Sequence, residues 1–257
     1  MNKIKGMYLS KTDIGKVRKS NEDKSIALVN SSGDVLLLVA DGMGGHNKGS
    51  FASTKVVQVV SNEFAHKPFF FSVRSTYFWL QKTLKEANKQ INDYATNNED
   101  YKGSGTTVVA ALLTKNKIIL ASAGDSRIYL LKKGRLNLLS DDQTYVNYLV
   151  KTGKLTIEQA KTHKDRHVLI NALGIYPSLS IDMKIINNEG YPLILCSDGL
   201  YNNVTEEEMC RILSVNETPT QKIETLINVA NNDGGTDNIS IAYWEAFKDA
   251  QNWRSYW

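Results

Sequence analysis

Apolar residues recur along the 257-residue chain with two different periods, and the switches between them order the elements. Lys24–Asn30 and Val35–Asp41 are short, dense apolar runs on either side of a Ser32-Gly33-Asp34 turn, and they read as β-strands. From Lys48 the period lengthens, and Ala52, Val56, Val59, Val60 and Phe64 mark one helical face. Beyond Pro68 the stripe Val73, Tyr77, Leu80, Leu84, Ala87, Ile91 and Tyr94 alternates spacings of four and three. That pattern predicts a helix of about six turns with one face in a core.

The period returns to two after Gly103. Thr106–Leu113, Lys117–Ala123 and Arg127–Lys132 are separated by short polar turns and predict an antiparallel meander. Gln143–Leu173 predicts short helical pieces, with Thr156 and Gln159 spaced as a capping box. Ser180–Ile186 alternates, Pro192–Cys196 is an apolar strand, and Thr205 with Glu208 predicts a second capping box opening a helix through Leu213. Ile223, Leu226, Ile227 and Ala230 mark a further helix, and Asn238–Trp244 a closing strand. Hairpins outnumber crossovers in this order, so the expected class is α+β, with antiparallel sheets and segregated helices.

Composition narrows the function classes. With 42% hydrophobic and 23% charged residues the chain can build a core, which excludes disorder as its main state. Its net charge of +4 is small and spread evenly, so nucleic acid is not an expected partner. The longest apolar runs, Val35–Ala40 and Val108–Leu113, are far shorter than the roughly 20 residues that span a bilayer, and no membrane insertion is expected. MNKIKGMYLS lacks an apolar signal core, and Cys196 and Cys210 have neither metal nor disulfide spacing. The expectation is a cytoplasmic protein.

Three carboxylates mark strand ends: Asp41 closes VLLLVAD, Asp198 closes PLILCSD, and Asp237 in GGTDN precedes the last strand. Each alone is an ordinary turn residue. Together they are costly beside a core unless paired or bound to a cation, and the glycines beside them permit close backbone approach. If these ends converge, an oxygen-only site suits Mg²⁺ or Mn²⁺ and not Zn²⁺. His163 and His167 share an i, i+4 spacing without a zinc-protease pattern. In Arg18-Lys19-Ser20-Asn21-Glu22-Asp23, Arg18 is either a surface ion-pair partner or a fork for phosphate, with Glu22 and Asp23 supporting metals.

These residues carry a resemblance. DIGKVRKSNED, VADGMGGHNKG, GSGTTVV, AGDSRIYLL, CSDGLYNNV and GGTDNIS, in that order, resemble the motifs of metal-dependent serine/threonine protein phosphatases of type 2C in their small bacterial form. The match runs from about Asp13 to Trp244. It implies a four-layer α-β-β-α sandwich over one domain, residues 1–246, with a flap at about 141–174 and a short aromatic tail at 247–257. By resemblance Asp41 bridges two Mn²⁺ or Mg²⁺ ions and Gly42 offers a carbonyl to one. Asp198 and Asp237 hold the other, Glu22 and Asp23 act directly or through water, and Asp125 takes a third, weaker metal. Arg18 binds the substrate phosphate, and a metal-bridging hydroxide attacks phosphorus. Substrates are phosphoserine and phosphothreonine proteins, the implied partner is a serine/threonine protein kinase whose products the enzyme reverses, and a monomer is expected.

The chain also departs from the pattern. Met43 stands where many eukaryotic members have a proton-donating histidine, which leaves His46 or a metal-bound water as the general acid. Gln143 and Asn171 stand where bacterial relatives often carry histidine and arginine. Two rival readings remain at this stage: a hydrolase of small phosphoesters, and a non-catalytic regulator on the same fold.

Overall fold

The computed structural model describes residues 4–45 and 47–247. The strands are β1 (Gly6–Asp13), β2 (Lys24–Val29), β3 (Val35–Ala40), β4 (Gly42–Met43), β5 (Gly105–Thr106), β6 (Val108–Leu113), β7 (Lys117–Ala123), β8 (Arg127–Lys132), β9 (Arg135–Leu138), β10 (Asp182–Asn187), β11 (Leu193–Cys196) and β12 (Ile239–Ala246). The helices are α1 (Asn47–Ala65), α2 (Val73–Asn97), α3 (Tyr145–Lys151), α4 (Ile157–Lys161), α5 (Asp198–Tyr201), α6 (Glu206–Ser214) and α7 (Pro219–Asn232).

Two five-stranded antiparallel sheets result, in the orders β1-β12-β11-β8-β9 and β10-β7-β6-β3-β2, with β4-β5 as a small separate pair. The central strands are buried on both faces, and the period of two divides their side chains between neighbouring layers. Leu36, Leu38 and Ala40 of β3 pack beneath α1 and α2, whereas Val35, Leu37 and Val39 face the other sheet. On β11, Leu193 and Leu195 join the layer between the sheets, while Ile194 and Cys196 face the cluster containing α6 and α7. The architecture is therefore α+β, with four layers in the order α-β-β-α.

Helix starts are fixed locally. Ser72 and Ser75 form a capping box on α2, Thr156 and Gln159 form the expected one on α4, and Thr218 with Gln221 form another on α7, where Pro219 occupies the first turn. The box expected at Thr205 is only half made. Thr205 accepts from the Glu208 amide, but the Glu208 carboxylate turns forward to Arg211, 2.6 Å away.

The predicted meander is also corrected. β7 pairs with β6 and β10, but β8 belongs to the other sheet, between β11 and β9. Gly124, at a φ of 100°, makes the corner between sheets, pressed so close to Thr107 that a Cβ there would meet its side chain at 2.7 Å. A three-residue corner between sheets and a hairpin turn look alike in sequence.

Strand direction sorts the loops to two ends of the sandwich. β3, β7, β11 and β1 all finish at one end, where β2, β6, β8 and β12 begin, so Glu22, Asp23, Asp41, Asp125, Asp198 and Asp237 all belong to that end. The opposite end carries the turns between β2 and β3, β6 and β7, and β8 and β9. It also carries the α1–α2 link, whose Pro68 carbonyl accepts from the Ser32 amide at 3.1 Å.

Candidate active site

A cleft of about 850 Å³ opens at the first of these ends. Arg18, Glu22, Asp41, Gly42, Asp125, Asp198 and Asp237 all line it, together with Thr107, His167 and Asn238. Asp23 lies behind the wall, buried, and accepts 2.6 Å from Ser197 Oγ, which itself accepts from the Ser240 amide. This chain of contacts joins β2 of one sheet to β11 and β12 of the other.

Each acid is placed by backbone rather than by long side-chain reach. The Asp41 amide donates to Thr107 Oγ1, and its carbonyl accepts from the Thr107 amide and Thr106 Oγ1, both at 2.8 Å. Thr107 in turn bonds Ser126 at 2.7 Å, which ties the Asp41 strand end to the Asp125 corner. Gly42 is wedged where any Cβ would meet the Gly49 carbonyl at 2.3 Å and the Glu22 carbonyl at 2.6 Å, so only glycine lets the start of α1 approach this closely. Asn238 fastens the loop that carries Arg18: its side-chain nitrogen donates to the carbonyls of Ile14 and Ser20, and its oxygen accepts from the Glu22 amide.

The electrostatics are those of crowded anions. Burial, then Asp23, Asp198 and the other carboxylates, holds Asp41 well above the usual carboxylate range. Burial is also the main reason that Asp23 and Asp125 are each pushed up to about 7 and that Asp198 is raised. Arg18 Nη2 sits 2.7 Å from Asp237 Oδ2. Asp198 Oδ1 is buried without a hydrogen-bond partner, while Oδ2 accepts from Asn202 at 3.1 Å. Among the described residues, no three His, Cys, Asp or Glu side chains are drawn into a ready-made metal cage. Even so, an orphaned buried carboxylate oxygen and a wall of oxygen donors that resist ionisation suit a hard divalent cation.

Sequence reasoning missed two residues here. His167, noted in the sequence only for its spacing from His163, lines the cleft and lies near enough to Asp198 to offset part of that group's rise. Asn238 was read only as a strand start. His46 lies outside the described residues, as does the aromatic tail beyond Phe247. The two departures at Gln143 and Asn171 meet each other: Gln143 Oε1 accepts from the Gly124 amide at 3.0 Å and from Asn171 at 2.6 Å, which clips this segment to the corner before Asp125.

Comparison with known proteins decides the family. The family model described as protein phosphatase 2C matches residues 16–237. The chain belongs to the protein phosphatase 2C family. It is 37% identical over 232 residues to the serine/threonine phosphatase stp of Listeria monocytogenes serotype 4b, covering 90% of this chain and 92% of that protein. It is 34% identical to protein phosphatase PhpP of Streptococcus pneumoniae, covering 90% and 94%. Among solved structures, the S. agalactiae serine/threonine phosphatase superposes with a TM-score of 0.89 at 33% identity, covering 94% of this chain and all of that one. The catalytic domain of the phosphatase PstP, solved in complex with two manganese ions, gives a TM-score of 0.82 at 30% identity, covering 94% and 98%. As a 2C-family member the chain is a serine/threonine protein phosphatase.

Proposed function

We propose that this phosphatase hydrolyses phosphoserine and phosphothreonine on proteins with the help of two or three Mn²⁺ or Mg²⁺ ions, and that it reverses a serine/threonine protein kinase in the cytoplasm. The supporting observation is the arrangement of Arg18, Asp41, Asp125, Asp198 and Asp237 around one open cleft. Asp41, Asp198 and Asp237 would hold the principal ions with Gly42, Glu22 and Asp23 in support, and Asp125 a third. Bound there, the ions supply a water of lowered pKa and neutralise phosphoryl oxygens.

The protein's own groups do the rest. Arg18 swings its two-donor fork from Asp237 to the non-attacking phosphoryl oxygens and stabilises the charge that builds there. His167 is the described imidazole on the cleft wall and delivers a proton to the departing seryl or threonyl oxygen. The cleft is open to solvent, which supplies the water consumed.

The test compares a phosphoprotein, a phosphothreonine peptide and a small aryl phosphate, each with Mn²⁺ and with chelator. Metal-dependent hydrolysis of the first two supports the reading. Hydrolysis confined to the aryl phosphate would transfer the enzyme to small phosphoesters, and none at all would make it a regulator.

A further inference from the structure

The end of the sandwich opposite the catalytic cleft carries exposed aromatic rings. In the run Pro68-Phe69-Phe70-Phe71, the middle ring turns inward, stacking on Phe64 and meeting Trp79 edge-on at 5.2 Å. Its two neighbours turn outward: Phe71 is 81% exposed, Phe69 41%, and the rings touch at 4.6 Å. Phe78, one turn into α2, adds a third ring, 51% exposed. The loop is held rigidly, since Ser32 Oγ and the Ser32 amide both donate to the Pro68 carbonyl. Large apolar side chains fixed in water in this way are costly to a monomer and mark a contact surface.

The charges around them choose the partner. Lys67, Arg74, Lys115, Lys133 and Arg135 belong to this end, and among the described residues none has a carboxylate partner. Of the acids there, Glu189 is paired with Lys132 and Glu245 with Lys222, while Asp34, Glu63 and Glu217 have no cation partner among the described residues, so five such cations outnumber three such acids. The charged residues lining the catalytic cleft, by contrast, are mainly acids. Rigid phenylalanines flanked by Lys67 and Arg74, whose charges rest over Phe70 and Phe78, at an end of the sandwich with an excess of cations, match the interface of an anionic bilayer, where aromatic rings enter the headgroup layer and cations meet phosphates. No helix among the described residues is long and apolar enough to cross a membrane, and this mode of binding needs none.

We infer that the Phe69–Phe71 tip docks the protein on an anionic phospholipid surface with the catalytic cleft facing away from it. The inference is independent of the catalytic reading.

Co-sedimentation of the full chain with vesicles tests it. Vesicles of phosphatidylglycerol and phosphatidylcholine should retain the protein, pure phosphatidylcholine far less, and raised salt should release it. Phe69→Ser and Phe71→Ser should each weaken partitioning by about tenfold, and Lys67→Gln and Arg74→Gln by about fivefold each. All four variants should keep the wild-type rate on an aryl phosphate and the wild-type melting temperature. Equal retention on both vesicle types, or on neither, overturns the inference. So does a dimer in light scattering that Phe71→Ser dissolves, because the tip would then be a contact between copies.

Discussion

Arg18 and Asp237, the residue proposed to bind phosphate and a residue proposed to hold metal, are bonded to each other at 2.7 Å. One guanidinium cannot serve both partners at full strength, so substrate and Asp237 compete for it. Replacing Arg18 by Ala should lower kcat/KM on a phosphopeptide by one to two decades, the worth of a charge-assisted bond of about 1.5–3 kcal/mol. It should also leave Asp237 freer, so that half-maximal activity needs no more Mn²⁺ than in wild type. Lys should rescue only in part, because a point charge lacks the planar fork. Steady-state kinetics across a Mn²⁺ series reads both effects, and an unchanged kcat/KM would return Arg18 to a surface ion pair.

Asp41→Asn, Asp198→Asn and Asp237→Asn should each reduce metal-dependent turnover by several orders of magnitude while the fold persists. Removing one charge from a repelling group also relieves strain among the rest, so metal-free melting temperatures should hold or rise. Near wild-type turnover in the Asp198 variant would sink the assignment of a metal to that side chain.

Stability of the metal-free protein should fall as pH rises. Asp23 and Asp125 are pushed up to about 7, whereas an unfolded aspartate titrates near 3.9. Below about 4 both states are protonated and native stability is at its full value. Between about 4 and 7 the native state keeps protons that the unfolded chain has lost, so stability drains away until the native groups ionise. Thermal melts in chelator should therefore be higher near pH 5 than near pH 8, and Mn²⁺ should oppose the loss by favouring the ionised form. A higher melting temperature at pH 8 in chelator would contradict the buried cluster.

Much of this was legible in the sequence because burial follows period. Strands buried on both sides, such as β3 and β6, appear as unbroken apolar runs, and α2 shows its whole stripe. β1 and β9 left no such trace: β1 is only half-buried along its length, and β9 is short and largely exposed. The Asp-Gly strand ends were visible, but which strands converge depends on the partition between sheets at Gly124, which local turn chemistry does not encode. His167 was invisible as a cleft residue because an irregular segment carries it there. The Phe69–Phe71 run is three consecutive identical residues, so no period in it tells which ring turns inward.

The leaving group separates two histidines. A serine alkoxide needs a proton and an aryl oxide hardly does. His167→Gln should slow a phosphoserine peptide by at least tenfold and spare an aryl phosphate, whereas His46→Gln, in a glycine-rich loop, should slow both alike by less than about tenfold. The reverse pattern would make His46 the donor.

Lys222 offers a stability test far from the chemistry. Its ammonium, 2% exposed, lies 2.7 Å from Glu245 Oε2, which also accepts from Tyr243 at 2.8 Å. Lys222→Ala should cost about 3–5 kcal/mol in urea unfolding by stranding a buried carboxylate. Lys222→Met with Glu245→Leu should recover most of it, and a loss below about 1 kcal/mol in the single variant would show that water relieves Glu245.

The pairing of β1 with β12 has a practical reach. Gly6 lies opposite Ala246, so the first strand begins and the last strand finishes side by side at the end remote from the cleft. A short linker could close the chain into a ring there without disturbing a catalytic loop, and new termini could be opened at an exposed turn such as Lys133–Gly134. A fluorescent reporter or immobilisation tag attached to either strand would stand a full sandwich length from the phosphate, leaving the entrance clear for folded phosphoproteins.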